Sequence, residues 1–491
     1  MNTLAQTSRH AARVLLVAAA AGALALPAAR AQTPEEFQQL KSLVESLKKT
    51  VEAQDARIKE LEGAKAPAPT PTSAAATSPS QKTIDAVAAG QDVGQTSPVA
   101  FRGALNDQQE AASRPLNFTL DPKYQGFIPV PNTPALIKLN AKPHLDVITD
   151  NKNTGNNNRF VPALFPLEGS PEYGGGSRTT MTANATQIRV DVRAPEMDGN
   201  FRFYYQNDFF GSGSDSGDMK YRVQHLYGQY YGFKGGFTYG VWEDPDSWPD
   251  TVDYEGPNAV IFSRRPVAQY TQVLNDKWNA TYGVEKADIY VDVNSGPNAG
   301  GAQLTRMPDL GMNVRYEEAG FGHLQFSAML RDLGARDSTG AEHHVTGYGV
   351  NASATLDLGD ANTVQFLGVV GKGVGGMGND TSFLNSDAAF NADGDLEALP
   401  YWSLHFAATH RWSKTARSTF TYGYVNLDNT DGQAPTFYHT SIYASANLVW
   451  QIRQRLSLGL EGLYGTKEAR NGVDSGDHLR FQLGMVYSLF D

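Results

Sequence analysis

The charged residues are the ones whose types and spacing could do chemistry, and they fall into two sets. Where polar and apolar residues alternate, Lys138, Lys142, Arg189, Arg193, Arg202, Arg222, Arg315 and Arg331 stand on the polar side, and Arg264 and Arg265 flank the start of a further such stretch. Between two of these stretches, residues 243–258 carry Glu243, Asp244, Asp246, Asp250, Asp253 and Glu255. If the stretches are barrel strands, the basic set faces the lumen, because Lys or Arg on a lipid face is costly at the bilayer midplane. Rings of Lys and Arg favour anions. An acidic loop folded inward against such a wall would narrow the channel and set a transverse field that orients dipolar solutes. A solvated acidic loop at the mouth is the plainer alternative.

No catalytic constellation accompanies these charges. GSGSDSGD at 211–218 has the composition of a flexible hairpin loop. GKGVGGMG at 371–378 lacks the spacing and the following helix of a phosphate-binding loop. His343-His344 has no further metal ligands beside it, and the absence of cysteine excludes disulfides, thiolate metal sites and cysteine nucleophiles. The expectation is a protein with no enzymatic activity, no cofactor and no metal. With 41 basic against 52 acidic residues the net charge is −11, which argues against nucleic acid as a partner. A mean hydropathy of −0.40 excludes a polytopic helical membrane protein but not a transmembrane β-barrel, whose alternating strands look soluble on average.

The elements that must position the charges begin after an export signal. Arg9, His10 and Arg13 precede an apolar run over 14–26, and Ala29-Arg30-Ala31 supplies a cleavage site. The run is too short for a membrane span. A heptad seam follows: Phe37, Leu40, Val44, Leu47, Val51, Gln54, Ile58 and Leu61 alternate spacings of three and four, which keeps one stripe towards a partner helix. Thr33 with Glu36 makes a capping box and Pro34 suits the first helical position. Val at a with Leu at d leans towards a dimer. Residues 63–115, with APAPTPTSAAATSPSQ, cannot bury a core and form a linker reaching on the order of 40 Å. The expected organisation is a signal peptide over 1–31, a coiled coil over 32–62, a low-complexity linker over 63–115 and a β domain over 116–491.

Within the β domain the period-2 alternation predicts strands near 135–147, 185–194, 200–209, 219–231, 236–242, 259–271, 277–286, 309–317, 321–331, 344–358, 361–372, 399–412, 416–427, 437–450, 455–466 and 477–489. In the first, Ile137, Leu139, Ala141, Leu145 and Val147 oppose Lys138, Asn140, Lys142, His144 and Asp146. Short and long connections alternate strictly. An even strand count with all long loops at one end is the plan of an outer-membrane barrel. The strand-like stretch 288–293 is placed in a long loop, because an extra crossing would break the parity. The predicted fold class is all-β: a 16-stranded antiparallel transmembrane β-barrel behind a coiled-coil helix and a disordered linker. Sixteen strands leave an aqueous channel.

The segment YRVQHLYGQYYGFKGGFTYGVWEDPDSWPDTVDYEGPN at 221–258 resembles the DcaP-like family of outer-membrane porins, the dicarboxylic-acid porins. KLNAKPHLDVITD at 138–150, FVPALFPL at 160–167, NFRFYYQNDFFG at 200–211, RRPVAQYTQ at 264–272 and GHLQFSAMLR at 322–331 agree in order. The resemblance implies a homotrimer in the cell outer membrane, with sixteen strands per barrel and the N-terminal coiled coil in the periplasm. It also implies passage of small, often carboxylated solutes. The partners it implies are outer-membrane lipid and small anionic solutes, with passive diffusion biased to anions as the function. Two alternatives stay open: a structural tether contacting the cell wall through the coiled coil, and a secreted glycan-binding β protein.

Overall fold

The computed structural model describes residues 126–194, 201–212 and 218–489. The signal peptide, the coiled-coil seam and the linker lie outside the described residues.

A strand lies in each of the sixteen alternating stretches, and consecutive strands pair antiparallel from Gln187–Ala194 round to Ser475–Tyr487. The last of them then pairs with His144–Asp150, with Arg480 opposite Asp150 and Val486 opposite His144. The twenty-stranded sheet therefore closes on itself as a β-barrel, which leaves no open sheet edge. Its hairpins are tight where chain composition allows. Tyr230 pairs with Phe233 across Tyr231 and Gly232, both at positive φ, the two-residue turn whose twist matches the strands.

The boundaries differ from the sequence pattern at several strands. The fifth lies at Phe233–Tyr239 rather than 236–242, because the turn before it closes in two residues, Tyr231 and Gly232. Pro143 has no N–H to donate and splits the first stretch into Leu136–Lys142 and His144–Asp150. The second stretch begins earlier than its alternation suggests, at Arg178–Thr182, before Gln187–Ala194. The sixth begins only at Arg264 rather than 259, because 258–262 packs inside the barrel. Val291–Asp292 is a strand, but it belongs to a separate three-stranded sheet with Ala388–Phe390 and Leu396–Ala398.

The barrel is polar inside and apolar outside. Along Ser475–Tyr487, His478, Arg480 and Gln482 are buried while Leu479, Phe481, Leu483, Met485 and Tyr487 are exposed. The same inversion runs round the ring: Phe326 and Leu330 point out where Gln325 and Arg331 point in, and Phe406 points out beside the inward His405. Alternation on a pleated strand produces this. An exposed apolar belt around a closed barrel fits a lipid environment.

Candidate functional site

The residues that alternation turns inward do not face an empty lumen. The chain between Phe233–Tyr239 and Arg264–Val273 runs along the inner wall and is buried almost throughout. Its first part runs beside the Glu342–Leu358 strand and ends in a single 3-10 turn at Pro245–Ser247. Asn351 Nδ2 donates to the Trp242 carbonyl (2.9 Å), Ser353 Oγ to the Asp244 carboxylate (2.6 Å) and Thr355 Oγ1 to the Asp246 carbonyl (2.6 Å). Asn351, Ser353 and Thr355 alternate along one face of the strand, so successive inward side chains hold the segment.

The segment then meets successive strands. His405 Nε2 contacts the Ser247 carbonyl at 2.9 Å, and Asn447 Nδ2 donates to the Asp250 carbonyl at 2.7 Å. The Glu461 carboxylate accepts the N–H groups of Val252 (2.8 Å) and Asp253 (2.6 Å). Finally the Tyr254 hydroxyl donates to Asp208 at 2.8 Å, on the far side of the barrel closure.

Glycines make the bed for this segment. A Cβ on Gly311 would sit 2.4 Å from a Val241 methyl, one on Gly349 would sit 2.9 Å from the Trp242 ring, and one on Gly423 would sit 2.2 Å from Asn258 Oδ1. All three are inward positions where a side chain would lift the segment off the wall.

Two further segments join it. Asn379 N donates to the Val260 carbonyl (2.9 Å), and Phe262 N donates to the Met377 carbonyl (3.0 Å). Ala163 N and Ser441 Oγ donate to Asp380 at 2.9 and 2.6 Å. Burial pushes the Asp380 carboxyl up to about 6. The insides of 151–177 and 373–399 thus share the lumen with the acidic loop, a role the sequence pattern did not disclose. Their inward apolar residues, Phe160, Val161, Phe165, Val374 and Met377, sit in segments that read as loops and were the available signal.

Of the basic set that the sequence pattern turned inward, Arg315 pairs with the acidic segment, whereas Arg202 and Arg222 pair with carboxylates of the wall. Arg315 donates to Asp244 (3.2 Å) and Asp246 (2.9 Å), Arg417 pairs with Asp250, and Arg159 lies 3.6 Å from Glu255. Burial opposes ionisation of Asp244, but His323, Arg315 and Ser353 outweigh it and hold the carboxyl below its usual range. Burial pushes Asp253 well up. Glu243 is 3% exposed, no side chain donates to it among the described residues, and burial together with Glu285 pushes its carboxyl up.

The basic set divides. Arg202 and Arg193 both pair with Asp191, and Arg222 pairs with Asp208. Arg265 and Arg331 share Asp309 at 2.9 and 3.0 Å, and Arg331 also holds Asp387 at 3.0 Å. These last two sit fully buried beneath the 373–399 segment, so they are internal ion pairs rather than residues lining open water. Lys142 is buried and Lys138 half-buried, the first on the inward side of its strand. Arg189 donates to Gln187 at 2.7 Å, and Arg264 stacks on Phe262 (4.6 Å) and Tyr239 (5.4 Å). Among the described residues, Arg189, Arg264 and Lys234 carry no ion pair, and all three charges act on the buried His225. Sequence reading passed over Lys234, because it starts a strand whose Gly235-Gly236 interrupts the alternation. Arg417 and Arg480 were missed as pairing residues, although both stand on inward positions of regular strands.

A family model described as DcaP outer membrane protein matches residues 146–487, which spans nearly the whole strand ring. The chain belongs to that family. The structure of the outer membrane channel DcaP of Acinetobacter baumannii is similar in fold, with 19% identity and a TM-score of 0.62 over 74% of this chain and 99% of that one. An anion-selective porin from Comamonas acidovorans aligns with 11% identity and a TM-score of 0.44, over 72% of this chain and all of that one. OmpT of Vibrio cholerae aligns with 9% identity and a TM-score of 0.44, over 73% and 99%. No curated protein matches the chain. The DcaP match covers the acidic loop, its glycine bed and the three unpaired cations together, so the site described above lies wholly inside the family region.

Proposed function

We propose that this DcaP family member is an outer-membrane porin that passes small hydrophilic solutes by passive diffusion, with a bias to anions such as carboxylates and dicarboxylates. Taking 136–150 and 178–194 as one crossing each, the ring has sixteen crossings, enough for an aqueous channel. The observation that carries the reading is a closed barrel with an apolar exterior whose polar interior keeps Arg189, Lys234 and Arg264 without ion pairs. Unneutralised cations on a pore wall attract anions. The segment 243–258 is the constriction, because it occupies the lumen along strand after strand. The similar Acinetobacter baumannii protein is itself an outer membrane channel. The native assembly is a homotrimer, with the 32–62 coiled coil in the periplasm.

Reconstitution of the purified protein into planar bilayers tests this. Stepwise ion conductance is expected. A correctly folded barrel that inserts without conducting would overturn the reading and leave an anchoring role.

A further inference from the structure

At the root of the inward segment, the inner wall encloses a cavity of about 80 Å³. A buried water needs roughly 10–15 Å³ measured this way, so the cavity holds several waters or one small solute. Two of its lining side chains are charges of opposite sign that do not bond each other. Lys234 carries no ion pair among the described residues. Glu243 is buried, and no side chain donates to its carboxylate among the described residues, its near donors being the backbone N–H groups of Gly240 and Glu243. The Tyr239 hydroxyl, which also lines the cavity, is buried and unsatisfied too. Buried polar atoms without partners are uncommon, and several around one cavity point to something that fills it.

The surroundings say which charge belongs at which end. On the Glu243 side, Glu243 and Glu285 share the field of Arg265, while Arg265 is also held by Asp309. Asp309 and Asp387 in turn share Arg331. Four carboxylates therefore face two guanidiniums, an acidic surplus in a dry region that a cationic group would relieve. The amides of Asn313 and Gln325 commit their N–H groups to the carbonyls of Val241 and Glu243, which leaves amide oxygens on the cavity lining as further acceptors. On the other side Lys234 lies near Arg202, which Asp191 holds, and it feels Glu285 and Glu243 only through space, with no carboxylate within ion-pair distance among the described residues.

We infer that this cavity is a solute subsite for small zwitterions, with the solute's ammonium against Glu243 and its carboxylate against Lys234. A dicarboxylate would place its second charge against Glu243, and a diamine would place its second charge against Lys234. The inference deepens the channel reading by naming a solute class for one part of the path, and it rests on that reading for its physiological meaning.

The test is calorimetric titration of the full-chain protein in detergent with 4-aminobutyrate, succinate and butane-1,4-diamine, alongside bilayer conductance of the same preparation. 4-Aminobutyrate is expected to bind at least about tenfold more tightly than either homologue, the size of one charge-assisted hydrogen bond. Glu243→Gln and Lys234→Met should each remove that advantage, and the conservative Glu243→Gln keeps the side-chain volume. Succinate binding as tightly as 4-aminobutyrate, absence of binding, or unchanged affinity in both variants would overturn the inference. Conductance without binding would overturn the subsite and spare the channel. Binding without conductance would overturn the channel and spare the subsite.

Discussion

Two regions of the molecule carry the same residue types and use them differently: the wall where the inward segment is held, and the inward cations around His225. In the first, arginines are spent on the segment: Arg315 holds Asp244 and Asp246, and Arg417 holds Asp250. In the second, Arg189, Lys234 and Arg264 carry no ion pair among the described residues, although the paired Arg202 and Arg222 stand on strands between them. A paired guanidinium positions chain, and its field is largely cancelled by its partner at short range. An unpaired cation offers its field to whatever enters. On the proposed reading, selectivity and architecture fall to different basic residues of one barrel, and counting basic residues on the polar face does not tell them apart.

The largest way to break this division is to delete Asp246–Asp253. That removes the part of the segment held by Thr355, His405, Arg417, Asn447 and Glu461. Single-channel conductance should rise and larger solutes should enter, as read by a liposome-swelling size series. Unchanged conductance and size cutoff in an assembled barrel would mean that the passage runs elsewhere.

A smaller perturbation is Arg315→Met, which takes the guanidinium away from the half-buried Asp246 and from the buried Asp244, the latter still held by His323 and Ser353. Breaking a buried pair by removing one partner typically costs about 3–5 kcal/mol. The loss should be local, appearing as faster amide exchange over 241–248 with the barrel strands still protected. Arg222→Met removes a partner of Asp208 on the wall itself and should leave that segment's exchange nearly unchanged. Equal effects of the two would erase the distinction between arginines that hold the segment and arginines that belong to the wall.

The smallest expected effect is one of pH. Asp380, where three inward segments meet, has its carboxyl raised by burial from an ordinary 3.8 to about 6. A carboxyl raised on folding favours the protonated form, so its contribution to stability is full below 3.8 and is lost as pH rises through about 6. Lys467, which faces it, favours the ionised form and moderates the shift. In thermal unfolding followed from pH 4 to pH 7, Asp380→Asn should flatten the fall in stability that the native protein shows across this range. Parallel profiles would mean that Asp380 stays ionised throughout.

Much of the fold was legible in the sequence because a pleated strand repeats every two residues. Leu479 to Tyr487 and Ile137 to Val147 reveal their outward faces without any knowledge of neighbours. For 243–258 the sequence left an inward and a solvated course both open, with Trp248 the residue that favoured the first, and in the structure Trp242 and Trp248 are both fully buried. What the sequence withheld is pairing. Asp244 meets Arg315, 71 residues away, and Asp250 meets Arg417, 167 residues away. Those contacts depend on barrel closure and register, which no local period encodes. The inward glycines Gly311, Gly349 and Gly423 look like weak points in their strands until the segment they accommodate is in place. The burial of 160–165 and 374–381 is likewise a tertiary fact, for neither stretch has a period.

On the proposed function, the unpaired cations, and not the paired ones, set the selectivity of the passage. The most direct measurement is the zero-current potential across a bilayer in a salt gradient, for the native protein, for Arg189→Gln with Arg264→Gln, and for Arg202→Gln with Arg222→Gln. The native channel should be anion-selective. The first pair of substitutions should move the potential clearly towards cation selectivity, and the second should move it much less, because Asp191 and Asp208 already offset those charges. A cation-selective native channel, or equal shifts from the two pairs, would contradict the claim.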